Sequence, residues 1–267
     1  MSGTAPLARS DEAVRECLTR GSLEIEGRLL AASNATFVGT ATLDGVSLRC
    51  IYKPVRGERP LWDFPSETLA GREVAAYQVS HAAGWDIVPV TVLADGPFGT
   101  GMVQEWVETT EMELVGLVPE GRVPTGWLHV LDAWDADERP VSLVHADLPG
   151  LRRMAVFDVA TNNADRKAGH LLAAAGAVRG CDHGLSFHVE DKLRTVLWGW
   201  AGQQLDDADL EPVHRLRSLL DSHVDLLAPL VSADEAGQLR MRLDVLERER
   251  RFPSPPPGWR AVPWPLF

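Results

Sequence analysis

Two short stretches hold the residue types that chemistry needs. One is Asn162-Asn163-Ala164-Asp165-Arg166-Lys167-Ala168-Gly169-His170, the other Cys181-Asp182-His183-Gly184-Leu185-Ser186-Phe187. An aspartate able to accept a hydroxyl proton is followed, seventeen residues on, by an Asp-x-Gly able to hold a metal. That is the minimal arrangement for moving a phosphoryl group from ATP, where a protein mostly positions groups and neutralises charge. In such a site Asp165 is the base or orienting carboxylate for the attacking hydroxyl. Lys167 reaches the γ-phosphate, and Asp182 binds the Mg2+ that bridges the phosphates. Asn162 and Asn163 lock the loop through side-chain to backbone hydrogen bonds. Singly, a polar loop after a helix and an Asp-x-Gly are common, so the combination carries the signal.

Earlier residues fit the same chemistry. Lys53 closes a strand on the face shared with Ile51, where it could reach the α/β-phosphates; a solvated strand end is the plainer alternative. Glu73 lies on one helical stripe with Leu69 and Tyr77, and a carboxylate in an apolar stripe needs a partner. A strand lysine paired with a helix glutamate is the kinase arrangement, with Glu67 as a competing partner. Ser33-Asn34-Ala35-Thr36, between two strands, could cap phosphates with backbone N–H groups or be an ordinary hairpin loop. Gln104-Glu105-Trp106-Val107 ends the last strand of the first half, as an adenine-reading hinge would; a strand end with a core tryptophan reads equally well. A rival reading takes His170, His183 and His188 as a transition-metal site, but no HxxxH or HxH spacing accompanies them.

These residues must be positioned by elements that the pattern partly reveals. A helix is predicted over 10–20, then strands over 22–30, 36–43 and 46–53. Asp44-Gly45 joins the last two as a two-residue hairpin turn. Ser66 is a candidate N-cap for a helix over 67–83 ended by Gly84. Strands follow over 87–93 and 100–107. The remainder reads as mostly helical: a loop over 108–126, helices near 127–134 and 151–161, a short strand pair at 170–174 and 178–181, and helices over 210–230 and 233–251. The tail from 252 is Pro/Trp-rich and extended. The fold class expected is α+β. An antiparallel-sheet N-lobe with one helix spans 1–107, and a mainly helical C-lobe spans 108–267.

Composition narrows the function classes. The net charge of −12 argues against a nucleic-acid footprint or attraction to anionic membranes. Three scattered cysteines indicate neither a disulfide framework nor a zinc knuckle. No apolar N-terminal segment, long apolar run or lipidation motif is evident, so no stable membrane anchor and a cytoplasmic location are expected. Only three lysines stand against 23 arginines, and two of the three are Lys53 and Lys167.

At these residues the chain resembles the phosphatidylinositol 3/4-kinase-like superfamily, closest to the type II phosphatidylinositol 4-kinase and HipA-like branch. Ile51-Tyr52-Lys53-Pro54 matches its Phe-Lys-Pro-type strand. Phe157-Asp158-x4-Asn163-Ala164-Asp165-Arg166 matches its catalytic loop. Cys181-Asp182-His183-Gly184-Leu185-Ser186-Phe187 matches its Ile-Asp-Asn-Gly-Leu-Ala-Phe, and Trp198-Gly199-Trp200 resembles its Trp-Ala-Trp element. The resemblance spans roughly 34–200. It implies a bilobal protein-kinase-like fold that uses ATP with Mg2+ or Mn2+, with Lys53 on the phosphates, Asp165 in catalysis and Asp182 on the metal. His170 stands where that family has a second metal-binding Asn, and imidazole is a poorer Mg2+ ligand than oxygen. A nucleotide-binding pseudokinase is therefore the alternative to an active kinase. The stretch 187–198 lacks a basic cluster for a phosphoinositide headgroup, and the branch's palmitoylated cysteine cluster is missing. The acceptor expected is a hydroxyl on a protein, including this one, or on a soluble polyol, rather than a membrane lipid.

Overall fold

A computed structural model describes residues 10–30, 32, 34–223, 225–255 and 260–267. It divides into two compact units, Met1–Ala70 with Pro89–Trp106, and Gly71–Val88 with Val107–Phe267.

The first unit is an antiparallel sheet with a helix on it. α1 (Asp11–Arg20) begins where the Ser10 hydroxyl accepts the Ala13 N–H, and it buries Val14, Cys17 and Leu18. The sheet comprises β1 (Ser22–Arg28), β2 (Phe37–Leu43), β3 (Val46–Pro54), β4 (Thr91–Gly96) and β5 (Gly99–Glu105), in the order β1-β2-β3-β5-β4. The β2–β3 turn forms at Asp44-Gly45, both at positive φ (50° and 78°), as a tight hairpin demands. Leu48, Cys50 and Tyr52 alternate into the core of β3 as the period of two predicts. Gly101 is needed where β5 pairs with the end of β3, opposite Pro54. A Cβ there would strike the Lys53 carbonyl oxygen and lie 2.6 Å from Pro54 Cα.

β4 starts at Thr91 rather than near residue 87, because Pro89 has no N–H for a ladder. The helix expected from residue 67 is α2 (Leu69–Ala83). Ser66 does not cap it. Glu67 sits at φ 63°, outside helical space, and the Glu58 carboxylate accepts the N–H groups of Leu69 (3.2 Å) and Ala70 (2.8 Å) instead. Gly84, at φ 75°, ends α2 as expected.

The second unit holds α2 from Gly71 onward and most of the helices, but more strand than the pattern suggested. β6 (Val115–Pro119), β7 (Trp127–Trp134) and β8 (Pro140–Ala146) form an antiparallel sheet in the order β6-β8-β7. The helix expected at 127–134 is therefore strand β7. Its apolar spacing suits either period, and pairing with the buried strand β8 decides for the strand, with a bulge between His129 and Leu131. The loop expected over 108–126 contains β6. α3 (Pro149–Thr161) follows, then the hairpin β9 (Leu171–Ala174) and β10 (Ala177–Gly180), then α4 (Asp207–Ser222) and α5 (Ala233–Glu249). α4 starts at a capping box of Asp206 and Asp209, and α5 at one of Ser232 and Glu235. α4 stops eight residues short of the expected 230, with turns at 225–230. Residues 260–267 run back along the unit: Ala168 N–H and Thr195 N–H donate to the carbonyls of Leu266 (2.9 Å) and Ala261 (3.1 Å). Among the described residues no helix is long and apolar enough to cross a membrane.

Candidate active site

The loop after α3 is built around a buried charge pair. Asp158, one turn before the helix end, and Arg166 are both fully buried. The guanidinium meets both carboxylate oxygens at 2.9 Å, the bidentate geometry that suits a planar fork. Two further Arg166 donors reach the Cys181 carbonyl (3.0 Å) and His183 Nε2 (2.7 Å). A guanidinium only donates, so Nε2 accepts, which fixes the His183 tautomer with its proton on Nδ1. One arginine thus ties the helix end, the Asp165 loop and the Asp182 loop together.

The asparagines do what their positions predicted. Asn162 takes the left-handed conformation (φ 55°) that ends α3. Its amide donates to the carbonyls of His188 (3.0 Å) and Glu190 (2.7 Å), and its oxygen accepts the Lys192 N–H (2.9 Å). Asn163 donates to Asp158 and accepts the N–H of Asp165 at 3.0 Å.

That leaves the Asp165 carboxylate facing outward, 26% exposed, with Lys167 Nζ at 3.3 Å. Burial pushes its pKa above the ordinary aspartate value, against the pull of Lys167 and with a push from the charge of Asp182. Asp182 stands at φ 60° and is 48% exposed, with His170 Nε2 3.3 Å from its carboxylate. The next backbone N–H, that of His183, donates to Glu73 Oε2 at 2.8 Å. Glu73 is 3% exposed, so the carboxylate in the apolar stripe has the partner its burial requires. The neighbouring Arg72, 1% exposed, donates to the Ser186 carbonyl (2.7 Å) and to Glu235 of α5. The structure therefore brings Asp165, Lys167, His170, Asp182 and Glu73 into one connected cluster.

The three histidines do not converge. His170 faces Asp182, His183 accepts from Arg166, and His188 Nδ1 accepts the Glu190 N–H at 2.9 Å. Among the described residues no group of three or more His, Cys, Asp or Glu could hold a metal unaided, which argues against the transition-metal reading.

In the first unit, Lys53 is half-buried on β3 opposite Met102. Gln104 is buried, and its amide donates to the Thr91 hydroxyl (2.9 Å). The N–H groups of Glu105 and Trp106 donate to the carbonyls of Val90 (2.9 Å) and Arg49 (3.1 Å), and the Arg49 guanidinium lies 4.3 Å from the Trp106 ring centroid. The backbone donors at 105 and 106 are thus engaged inside the sheet unit. Val107 falls in the second unit. Asn34 accepts the Arg59 N–H through its side-chain oxygen (2.9 Å), tying its loop to the one after β3. Ser33 lies outside the described residues. In the sequence alone Arg166 stands out only as part of a motif, and Arg72 and Glu235 carry no assigned role. An arginine beside Glu73 in an apolar helix was the one available signal for Arg72.

No family profile matches the chain. It is 49% identical over 278 aligned residues to Protein Rv2133c of Mycobacterium tuberculosis, covering all of this chain and 99% of that protein. A crystal structure of the Helicobacter pylori proinflammatory kinase CtkA aligns with 88% of this chain and 94% of its own, at 12% identity and a TM-score of 0.43.

Proposed function

The chain belongs to the family of the mycobacterial protein Rv2133c, and we propose that it is an ATP-dependent phosphotransferase acting on a hydroxyl of a protein, itself included, or of a soluble polyol. The observation that carries this reading is a partly exposed carboxylate of raised pKa, Asp165, beside a lysine and within electrostatic reach of a second carboxylate presented from a fixed loop. A carboxylate placed to accept the hydroxyl proton and a separate metal-holding acid are what transfer from ATP requires.

In this reading Asp165 accepts the proton of the acceptor hydroxyl as its oxygen bonds to the γ-phosphorus. The bond to the bridging oxygen breaks, and ADP leaves with the electron pair. Lys167 offsets charge on the transferring group. Lys53 and the Asn34 loop are assigned to the phosphates, Ser33 with them, and residues 104–107 to the base. Because the Glu105 and Trp106 N–H groups are engaged, base recognition falls to the remaining backbone groups of that segment. Mg2+ or Mn2+ would be held by Asp182, with His170 beside it, and would neutralise the phosphates. One carboxylate fits this metal use, since Mg2+ on nucleotides takes most ligands from phosphate and water. The net charge of −12 and the sparse basic residues of 187–198 support a soluble acceptor over a phosphoinositide.

The His170–Asp182 contact supports a second reading, a nucleotide-binding pseudokinase in which the imidazole holds the carboxylate away from a metal. Radiolabelled ATP with Mg2+ or Mn2+ separates the two. The enzyme transfers label to itself or to myo-inositol and loses transfer in Asp165→Asn and Asp182→Asn. Equal labelling by both variants would sink the phosphotransferase reading, and ATP binding without turnover under either metal establishes the second.

A further inference from the structure

We propose that Arg72 is a positioning residue for the metal-holding loop, setting Asp182 through the loop's backbone and itself anchored by Glu235 at the start of α5. The proposal rests on the phosphotransferase reading of the same site.

Two adjacent helical residues grip opposite ends of one short segment. Glu73 accepts the N–H of His183, directly after Asp182, and Arg72 donates to the carbonyl of Ser186 at 2.7 Å. Between these grips the Leu185 carbonyl accepts the N–H of Ala164 (2.9 Å), next to Asp165. Past them Phe187 N–H donates to the Thr161 carbonyl (2.6 Å). The left-handed backbone of Asp182 is therefore held by a segment pinned at both ends.

A guanidinium with 1% exposure requires a countercharge, and Glu235 provides it from 163 residues away. Glu235 is itself committed: its other oxygen accepts the Ser232 N–H at 2.8 Å, closing the capping box of α5. Arg72 spans a carbonyl and a carboxylate with one rigid fork. A lysine carries the same charge but offers a single point donor in place of the planar fork.

The test uses the full chain with ADP and varied Mg2+, read by calorimetry, together with amide hydrogen exchange over 183–187. Arg72→Lys is expected to need about tenfold more Mg2+ for half-maximal ADP binding, the size typical of losing an outer partner of a metal ligand. Metal-free ADP binding stays at the wild-type value, and amides 183–187 exchange faster. Glu235→Gln keeps an acceptor for Ser232 and hence α5, shows the same split more weakly, and carries the test if Arg72→Lys does not fold. Folded variants with wild-type metal dependence overturn the proposal. So does equal loss of ADP binding with and without Mg2+, the mark of a purely structural role. A wild-type protein whose ADP binding ignores Mg2+ removes the phosphotransferase reading instead. Hydrogen exchange then decides alone, and unchanged exchange in folded Arg72→Lys overturns the positioning role.

Discussion

In the sheet unit the candidate residues sit on a ladder of main-chain hydrogen bonds; in the second unit they are held by buried side chains. Lys53 takes its place from β3–β5 pairing, and the N–H groups of Glu105 and Trp106 are fixed by Val90 and Arg49 carbonyls. Asp165 and Asp182 depend on Arg166, Asn163, Glu73 and Arg72, each buried and each hydrogen-bonded to the backbone of the Asp165 or Asp182 loop. A ladder spreads the work over many equivalent bonds and tolerates side-chain change. A buried polar network concentrates it, and leaves an uncompensated charge when one member goes.

The largest expected effect is therefore Arg166→Ala. Stranding Asp158 in the core should cost about 3–5 kcal/mol, read by urea unfolding. A loss below about 1 kcal/mol, the scale of an exposed ion pair, would erase the contrast. The sheet unit should give way to a backbone change instead. Gly101→Ala is expected to cost about 1–3 kcal/mol, because the new methyl meets main-chain atoms of Lys53 and Pro54 that belong to the ladder. Smaller still is Arg49→Ala, which removes a cation–π contact and a 3.5 Å contact with Glu26 at a half-exposed site and should cost about 0.5–1 kcal/mol, with the sheet intact by circular dichroism.

Asp165→Asn should act in the opposite sense. A carboxyl whose folded pKa is raised contributes stability below its unfolded value, and that contribution is lost as pH rises through the folded value. At neutral pH the ionised Asp165 thus weighs against the fold. The asparagine variant should melt at a higher temperature than wild type near pH 7, with the gap closing toward pH 3. A variant that melts lower at neutral pH would show that Lys167 pairing outweighs burial. The same raised pKa should place the acidic limb of any activity profile above the ordinary aspartate range.

Much of the frame was legible because its signals are local. Alternation marked β3, Asp44-Gly45 marked its turn with β2, and Asn162-Asn163 marked a loop locked by its own amides. Failures came where a neighbour decides. Residues 127–134 suit helix or strand until β8 is beside them. Ser66 looked like a cap until Glu67 turned left-handed and Glu58 arrived from the preceding loop. At the candidate site, Asp165 and Asp182 could be read from order and type. Arg72 and Glu235 could not, since no spacing rule joins residues 163 apart that meet only after α2 and α5 have folded.

The clamp made by Asn162 has a consequence for control. A loop that folds only around an added phosphate stays idle until another enzyme writes that mark. Here residues 188–192 are gathered by the Asn162 amide and the Arg242 guanidinium, both present in the chain from synthesis. Their order is inherited with the sequence. On the proposed reading, a covalent tag is not what orders this segment.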